Sequence, residues 1–219
     1  MFRWFKPAPG LPLPVGGLVA LLNGMRLRVT QFGESILKEK GAPVTTFGPE
    51  LKQLAEDMVE TMHAEEGIGL AAQQIGQALQ FFVMDLAMPE SDADFDWRYD
   101  GRKLPLDLIF PLAVVNPQIE IVPPGTPAEA EEGCLSFPGI RGAIERPEAI
   151  VLGFQDVEGN AHVLECNGLC ARCVQHEYDH NQGVLFTERM GPATVKQLEP
   201  KLKKLKRQTR DFLKSGGAA

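Results

Sequence analysis

Leu51, Leu54, Ala55, Met58, Val59 and Met62 recur at i, i+3, i+4, i+7, i+8 and i+11. That spacing lines one face of a helix and predicts one from Pro49 to His63. Pro49 suits its first turn, and Gly67 the stop beyond its last. The runs 80–86, 112–121, 149–157 and 161–166 are apolar and β-rich and read as strands. The last two flank Glu158-Gly159-Asn160 and form a hairpin. Pro117 cannot donate to a ladder, so the second run has an edge or a bend there. Asn167 can cap, and Gly183 end, a helix of about four turns. Residues 194–213 are helical by composition, with Leu198, Leu202, Leu205 and Phe212 to pack. Between these elements, 87–111 carries turn formers and acidic residues without periodicity and reads as an exposed inserted loop. A Pro/Gly turn at 123–127 leads into Glu131-Glu-Gly-Cys-Leu-Ser-Phe-Pro138. No internal repeat occurs.

The 219 residues suit one domain with a core of its own. With 22 basic and 29 acidic side chains the net charge is −7, which argues against wholesale nucleic-acid binding and against DNA as a partner. Lys196, Lys201, Lys203, Lys204, Lys206, Arg207, Arg210 and Lys214 nevertheless make 193–219 a basic helix and flexible tail on an acidic body. Cys134, Cys166, Cys170 and Cys173, three of them close together, fit a reducing compartment better than a secreted disulfide framework. In residues 1–24, Arg3 and Lys6 precede a Pro/Gly-rich run and Val15-Gly-Gly-Leu-Val-Ala-Leu-Leu22. No small-x-small cleavage site follows, and the run is too short to span a bilayer. A disordered leader, or untranslated sequence ahead of a start at Met25, are the two expectations. An organelle transit segment would be richer in Ser and would change the location from cytoplasmic to organellar. The catalytic unit is expected in 25–192.

Chemistry concentrates in Gln175-His176-Glu177-Tyr178-Asp179-His180. On a helix, His176 and His180 are neighbours one turn apart and can bind one divalent ion, while Glu177 turns toward a water beside it. A catalytic metal usually takes a third protein ligand. The extended H-E-x-x-H-x-x-G-x-x-H form has Gly183 in place but Phe186 where its last histidine belongs. Glu199, as in a protease, and Cys134, in its Gly-Cys-Leu-Ser loop, are the remaining sources. Cys166, Cys170 and Cys173 with His176 could instead form a structural zinc cluster, although such sites usually draw on two separated pairs. Gly67-Ile-Gly-Leu-Ala-Ala-Gln-Gln74 superficially matches a dinucleotide fingerprint, but it follows a helix and precedes a strand, the reverse of what that site needs. His63 and His162 read as surface or strand histidines. Glu132 either pairs with Arg146 or is solvated.

Taken together and in this order, Gly67–Gln74, Glu132-Gly-Cys-Leu-Ser136 and Gln175–His180 resemble the three motifs of peptide deformylase. The resemblance covers about Thr30 to Met190. It implies an α+β fold, with antiparallel β-sheets packed around a central metal-binding helix and with N-terminal and C-terminal helices. It implies that Cys134, His176 and His180 hold a metal, natively Fe2+ and replaceable by zinc, nickel or cobalt. Glu177 would deprotonate the bound water and pass the proton to the leaving amine. The Gln74 amide and the Leu135 N–H would stabilise the oxyanion. The reaction implied is hydrolysis of the N-formyl group from N-formylmethionine of newly made polypeptides. Ile68, Gly69, Arg141 and Leu169, with Cys173, would contact the substrate, Gly69 letting its backbone lie alongside as an added strand. Formylated nascent peptides are the implied partners, and in bacterial members the terminal helix can dock on the ribosome. No membrane partner is implied. One departure is Asn181, where the family usually has leucine.

Overall fold

The computed structural model describes residues 26–87 and 95–217. The 1–24 leader, a start at Met25 and residues 88–94 of the 87–111 loop therefore lie outside the described residues. Helix α1 (Pro49–Ala64) starts on Pro49 and buries Leu51, Ala55, Met58 and Met62, the stripe its spacing predicts. Strands β1 (Gly69–Ala71), β2 (Phe81–Met84), β3 (Trp97–Tyr99), β4 (Leu112–Ile121), β5 (Pro127–Gly133), β6 (Arg141–Pro147), β7 (Ala149–Gln155) and β8 (Ala161–Asn167) follow, then helices α2 (Gly168–Asn181) and α3 (Pro192–Lys214). Every named pairing is antiparallel. Six strands form one sheet in the order β1-β2-β4-β7-β8-β3, and β5 pairs with β6 in a ribbon.

Strand β2 shows how the sheet serves two cores. Phe81 and Val83 pack with Met58, Met62 and Leu70 on the α1 side. Phe82 and Met84 pack with Cys170, Ala171, Val174 and Leu152 on the α2 side. Successive side chains of a strand point to opposite faces, so a strand covered on both sides is apolar throughout. Each such side chain contributes about 1.5–3 kcal/mol on burial. Leu37, Phe137, Ile140, Ile144, Phe186, Met190 and Leu205 make a third core, against which Leu198 and Leu202 seat α3. Phe212 stays 44% exposed. Helix α2, buried between sheet and ribbon, is thus held from several sides.

Two expectations need correction, and the structure decides a third. Of the edge or bend expected at Pro117, the structure shows the bend: β4 lies between β2 and β7, and its register shifts between Val115 and Gln118. Asn116 (φ 51°) fills the gap there, its amide donating to Val44 O and Gln155 Oε1 at 2.8 Å each. Beyond the 123–127 turn, β5 and β6 pair over their full length. The described part of 87–111 is not simply exposed, because Ile109 and Phe110 are buried, and Trp97 and Tyr99 pack on the sheet through the β3–β8 pairing. Asn167 precedes α2 but makes no capping bond; its Oδ1 accepts the Asp96 N–H at 2.5 Å. Gly183 does end α2, with φ +71° and its N–H on His180 O at 2.9 Å. A Cβ there would stand 2.5 Å from Lys38 O.

Candidate metal centre

Helix α2 presents the His176 and His180 rings 5.2 Å apart at 71°. The turn that leaves β5 brings Cys134 Sγ to 3.3 Å from His180 Nε2. One ligand atom from each of Cys134, His176 and His180 lies within 4.8 Å of the others. His176 commits Nδ1 to Glu132 Oε2 at 2.9 Å, which leaves Nε2 for the centre. One sulfur and two imidazole nitrogens, two of the three residues buried, are a donor set for a divalent transition metal. Burial lowers the affinity of both imidazoles for protons, yet hydrogen bonding with Cys134 and Glu132 carries His176 up to about 10. His180 goes down, through burial and the charge of His176.

A buried ionic network orients these groups. Glu132 accepts from Arg146 Nε at 2.6 Å and Nη2 at 3.0 Å, and from Arg172 Nη1 at 2.8 Å. Arg146 Nη1 reaches Asp179 Oδ2 at 2.8 Å, and Arg189 closes on the same carboxylate at 3.1 and 2.6 Å. Burial alone would raise the Glu132 carboxyl, but the bonds from His176 and Arg146 outweigh it and hold it at about 2. The Glu132–Arg146 pair thus exists, and both side chains are 5% exposed. Arg172, Asp179 and Arg189 went unassigned in the sequence. Arg172 and Asp179, four before and three after His176, share its helix face, which was the available signal.

Glu177 is buried, and burial pushes its carboxyl up to about 7 against the pull of His176 and Arg146. Its Oε2 has no hydrogen-bond partner among the described residues. Gly69 gives the carboxylate its room: a Cβ there would lie 2.4 Å from Glu177 Oε1. Gln74 Oε1 accepts the Ala71 N–H at 2.8 Å, which turns Nε2 toward Cys134 Sγ at 3.4 Å and Ser136 Oγ at 3.3 Å. Leu135 lies against Gly67, where a Cβ would be 2.8 Å from its Cδ1. At the rim, Ile68 is 37% exposed, and its carbonyl accepts the Asp85 N–H at 3.0 Å and Cys173 Sγ at 3.5 Å. Arg141 is exposed and lies over Gly133, whose added Cβ would be 3.0 Å from Nη1. Leu169 packs partly into the sheet core.

The alternative ligands fall elsewhere. Glu199 is on the surface of α3, paired with Lys203 at 2.6 Å. Cys166, Cys170 and Cys173 are core residues. The Cys166 hydrogen bond and burial raise Cys170, and burial raises Cys173, which keeps both as thiols. Among the described residues, Cys134, His176 and His180 are the group that gathers three such ligand atoms. His63 pairs with Asp85 at 2.8 Å, and His162 with Asp100 at 2.8 Å and Asp156 at 3.3 Å.

Comparisons with known proteins point to one family. The family model for polypeptide deformylase matches residues 26–196. A peptide deformylase from Opitutus terrae is 47% identical over 186 residues, 85% of this chain and 96% of its own. One from Thermotoga maritima is 40% identical over 175 residues, 80% of this chain and 93% of its own. The crystal structure of the Thermotoga maritima peptide deformylase matches with a TM-score of 0.63 at 39% identity, covering 77% of this chain and 99% of that one. That of Ehrlichia chaffeensis peptide deformylase gives 0.72 at 30% identity, covering 86% and 99%.

Proposed function

The chain belongs to the polypeptide deformylase family and is a metal-dependent hydrolase that removes the formyl group from N-formylmethionine, and we propose that the residues described above divide the work as follows. Cys134 Sγ, His176 Nε2 and His180 Nε2 would hold the metal. We assign it as Fe2+, with zinc, nickel or cobalt able to replace it, since one thiolate and two imidazoles suit all four. When bound, the metal supplies Lewis acidity to the attacking water and to the formyl oxygen.

The protein's own groups carry the proton and the developing charge. Glu177, with its carboxyl near 7, takes a proton from water and returns it to the leaving amine as the formamide C–N bond breaks, giving formate and a free amino terminus. The Gln74 Nε2 group, fixed by the Ala71 N–H on its other end, and the Leu135 N–H donate to the oxyanion. Glu132, accepting from His176 Nδ1, would fix the ring so that Nε2 faces the centre, where a metal would take the place of the Nε2 proton. Strand β1 is an edge of its sheet. Because the Ile68 carbonyl turns inward to Asp85, the Gly69 N–H faces the open side, where a substrate backbone can pair. Ile68 and Leu169 would flank the methionine side chain, and Arg141 would meet the peptide at the rim.

The observation that carries this reading is the meeting of Cys134, His176 and His180 beside a buried, hydrogen-bond-poor Glu177 carboxylate. The test is bound metal and formate release from a formyl-Met peptide. Cys134→Ser and His176→Ala should lose both, Glu177→Gln should keep metal and lose turnover, and Glu199→Ala should change neither. Metal and activity retained by Cys134→Ser would overturn the assignment. The basic face of α3 would bind ribosomal RNA, and deletion of 194–219 should then reduce ribosome co-sedimentation at low salt. Four free cysteines fit action in a reducing cytoplasm.

A further inference from the structure

Asn181, directly after His180, is fully buried in the last turn of α2. Its Nδ2 donates to Gln73 Oε1 at 3.0 Å and to Phe81 O at 3.1 Å, its main-chain carbonyl accepts the Gly41 N–H at 2.8 Å, and its Oδ1 has no partner among the described residues. Gln73 is also fully buried, and its Nε2 donates to Leu79 O at 3.3 Å. The next residue is Gln74, whose amide points at Cys134 and Ser136. The metal ligand His180 and the oxyanion donor Gln74 therefore stand on different elements, each one residue from a member of the same buried amide pair.

We propose that Asn181 is a positioning residue, whose carboxamide clamps the 72–75 turn to α2 through Gln73 and so sets the distance from Gln74 Nε2 to the metal ligands. The proposal rests on the oxyanion role given to Gln74 above. The Gln74 main chain has its own anchor, the Thr30 N–H on its carbonyl at 2.7 Å, but that bond ties it to the N-terminal segment and not to the helix that carries the histidines. Without Asn181 Nδ2, Gln73 Oε1 and Phe81 O lose a donor inside a closed site. An unpaired buried acceptor is costly, so the turn would move to find another. A displacement of about 1 Å at a catalytic donor can cost about a hundredfold in rate.

The test compares Asn181→Leu and Gln73→Met, each alone and combined with Gln74→Met. The readouts are kcat and KM for a formyl-Met peptide, bound metal per chain, and the visible spectrum of the cobalt-substituted protein, which reports the ligand set. Each single change should lower kcat about tenfold or more, with KM within about twofold and metal content and cobalt spectrum unchanged. In the Gln74→Met background either change should add less than about twofold, because both act through the amide already removed. Full additivity there, or unchanged kcat in both single variants, overturns the clamp. So does an altered cobalt spectrum, which would mean that Asn181 acts on the ligands. Should Asn181→Leu fail to fold, Gln73→Met decides alone, and wild-type kcat in it refutes the proposal. Full activity of Gln74→Met by itself would instead remove the oxyanion reading, an outcome that Asn181 does not enter.

Discussion

Replacing Gly69 by alanine places one methyl group against Glu177, the proposed general base. The new Cβ would lie 2.4 Å from Glu177 Oε1 and 2.9 Å from both Cδ and Cγ. Ordinary carbon contacts are about 3.5–4.0 Å, so the carboxylate must retreat by about 1 Å. Gly69 lies in a regular strand and is not among the glycines with positive φ, so the backbone itself accepts alanine. The cost then falls on the position of Glu177, one residue from His176 and enclosed in the protein. A shift of that size is worth about a hundredfold in turnover, or about 2.7 kcal/mol in the barrier. The assay is steady-state formate release from a formyl-Met peptide, with metal content and thermal unfolding as controls. The expected result is a fall in kcat with metal retained. If kcat is unchanged and only KM rises, Gly69 serves the substrate strand alone and the Glu177 contact has no catalytic meaning. Wild-type values of both would refute the reasoning outright.

The rate should depend on Glu177 as a base: kcat/KM falls as pH drops through its pKa, at or below about 7 because a bound cation lowers it further, and a pH–rate profile checks this. Glu132, held at about 2 against an ordinary 4.5, contributes stability that is complete above pH 4.5 and is lost as pH falls toward 2. The loss is on the order of 3 kcal/mol. Denaturant unfolding of metal-free protein at pH 7, 4 and 3 should show it, and Glu132→Gln should remove most of the dependence. The same substitution should weaken metal affinity about 10–100-fold, read by chelator competition. Gly183→Ala combines an αL backbone with a contact 2.5 Å from Lys38 O, and should lower unfolding stability by at least about 2 kcal/mol. His162 is raised by its bonds to Asp100 and Asp156, although burial opposes them. Its stabilising effect is complete below pH 6.5 and fades as pH rises through its raised value, so amide exchange near Asp100 should then quicken.

Periodicity exposed the elements whose side chains divide cleanly into buried and exposed. The stripe on α1 and the apolar run of β2 are legible because each meets a continuous core. The β5–β6 ribbon is not, since Glu129 and Glu131 face solvent while Gly142 and Arg146 take inward positions, so no hydrophobic alternation marks it. Residues 97–110 mislead for a related reason. Their polar and turn-forming residues mask Trp97 and Tyr99, which pack where β3 pairs with β8, and Ile109 and Phe110, which join the same core.

The sequence by itself determined the donor chemistry. Two imidazoles at helical spacing and a glutamate between them are local facts, set by the pitch of one helix, and the ordered motifs added Cys134 and Gln74. Which cysteine joins the histidines was decided in three dimensions. Cys166, Cys170 and Cys173 are the nearer in sequence, yet they point into the sheet core, while Cys134, 42 residues before His176, arrives on the turn after β5. Tertiary structure likewise decided that Gly69 makes room for Glu177, that Glu132 serves His176 as well as Arg146, and that Asn181 bonds to Gln73. Each of these depends on two segments distant along the chain being packed within a few ångströms. That proximity is a product of the buried cores, and no local pattern encodes it.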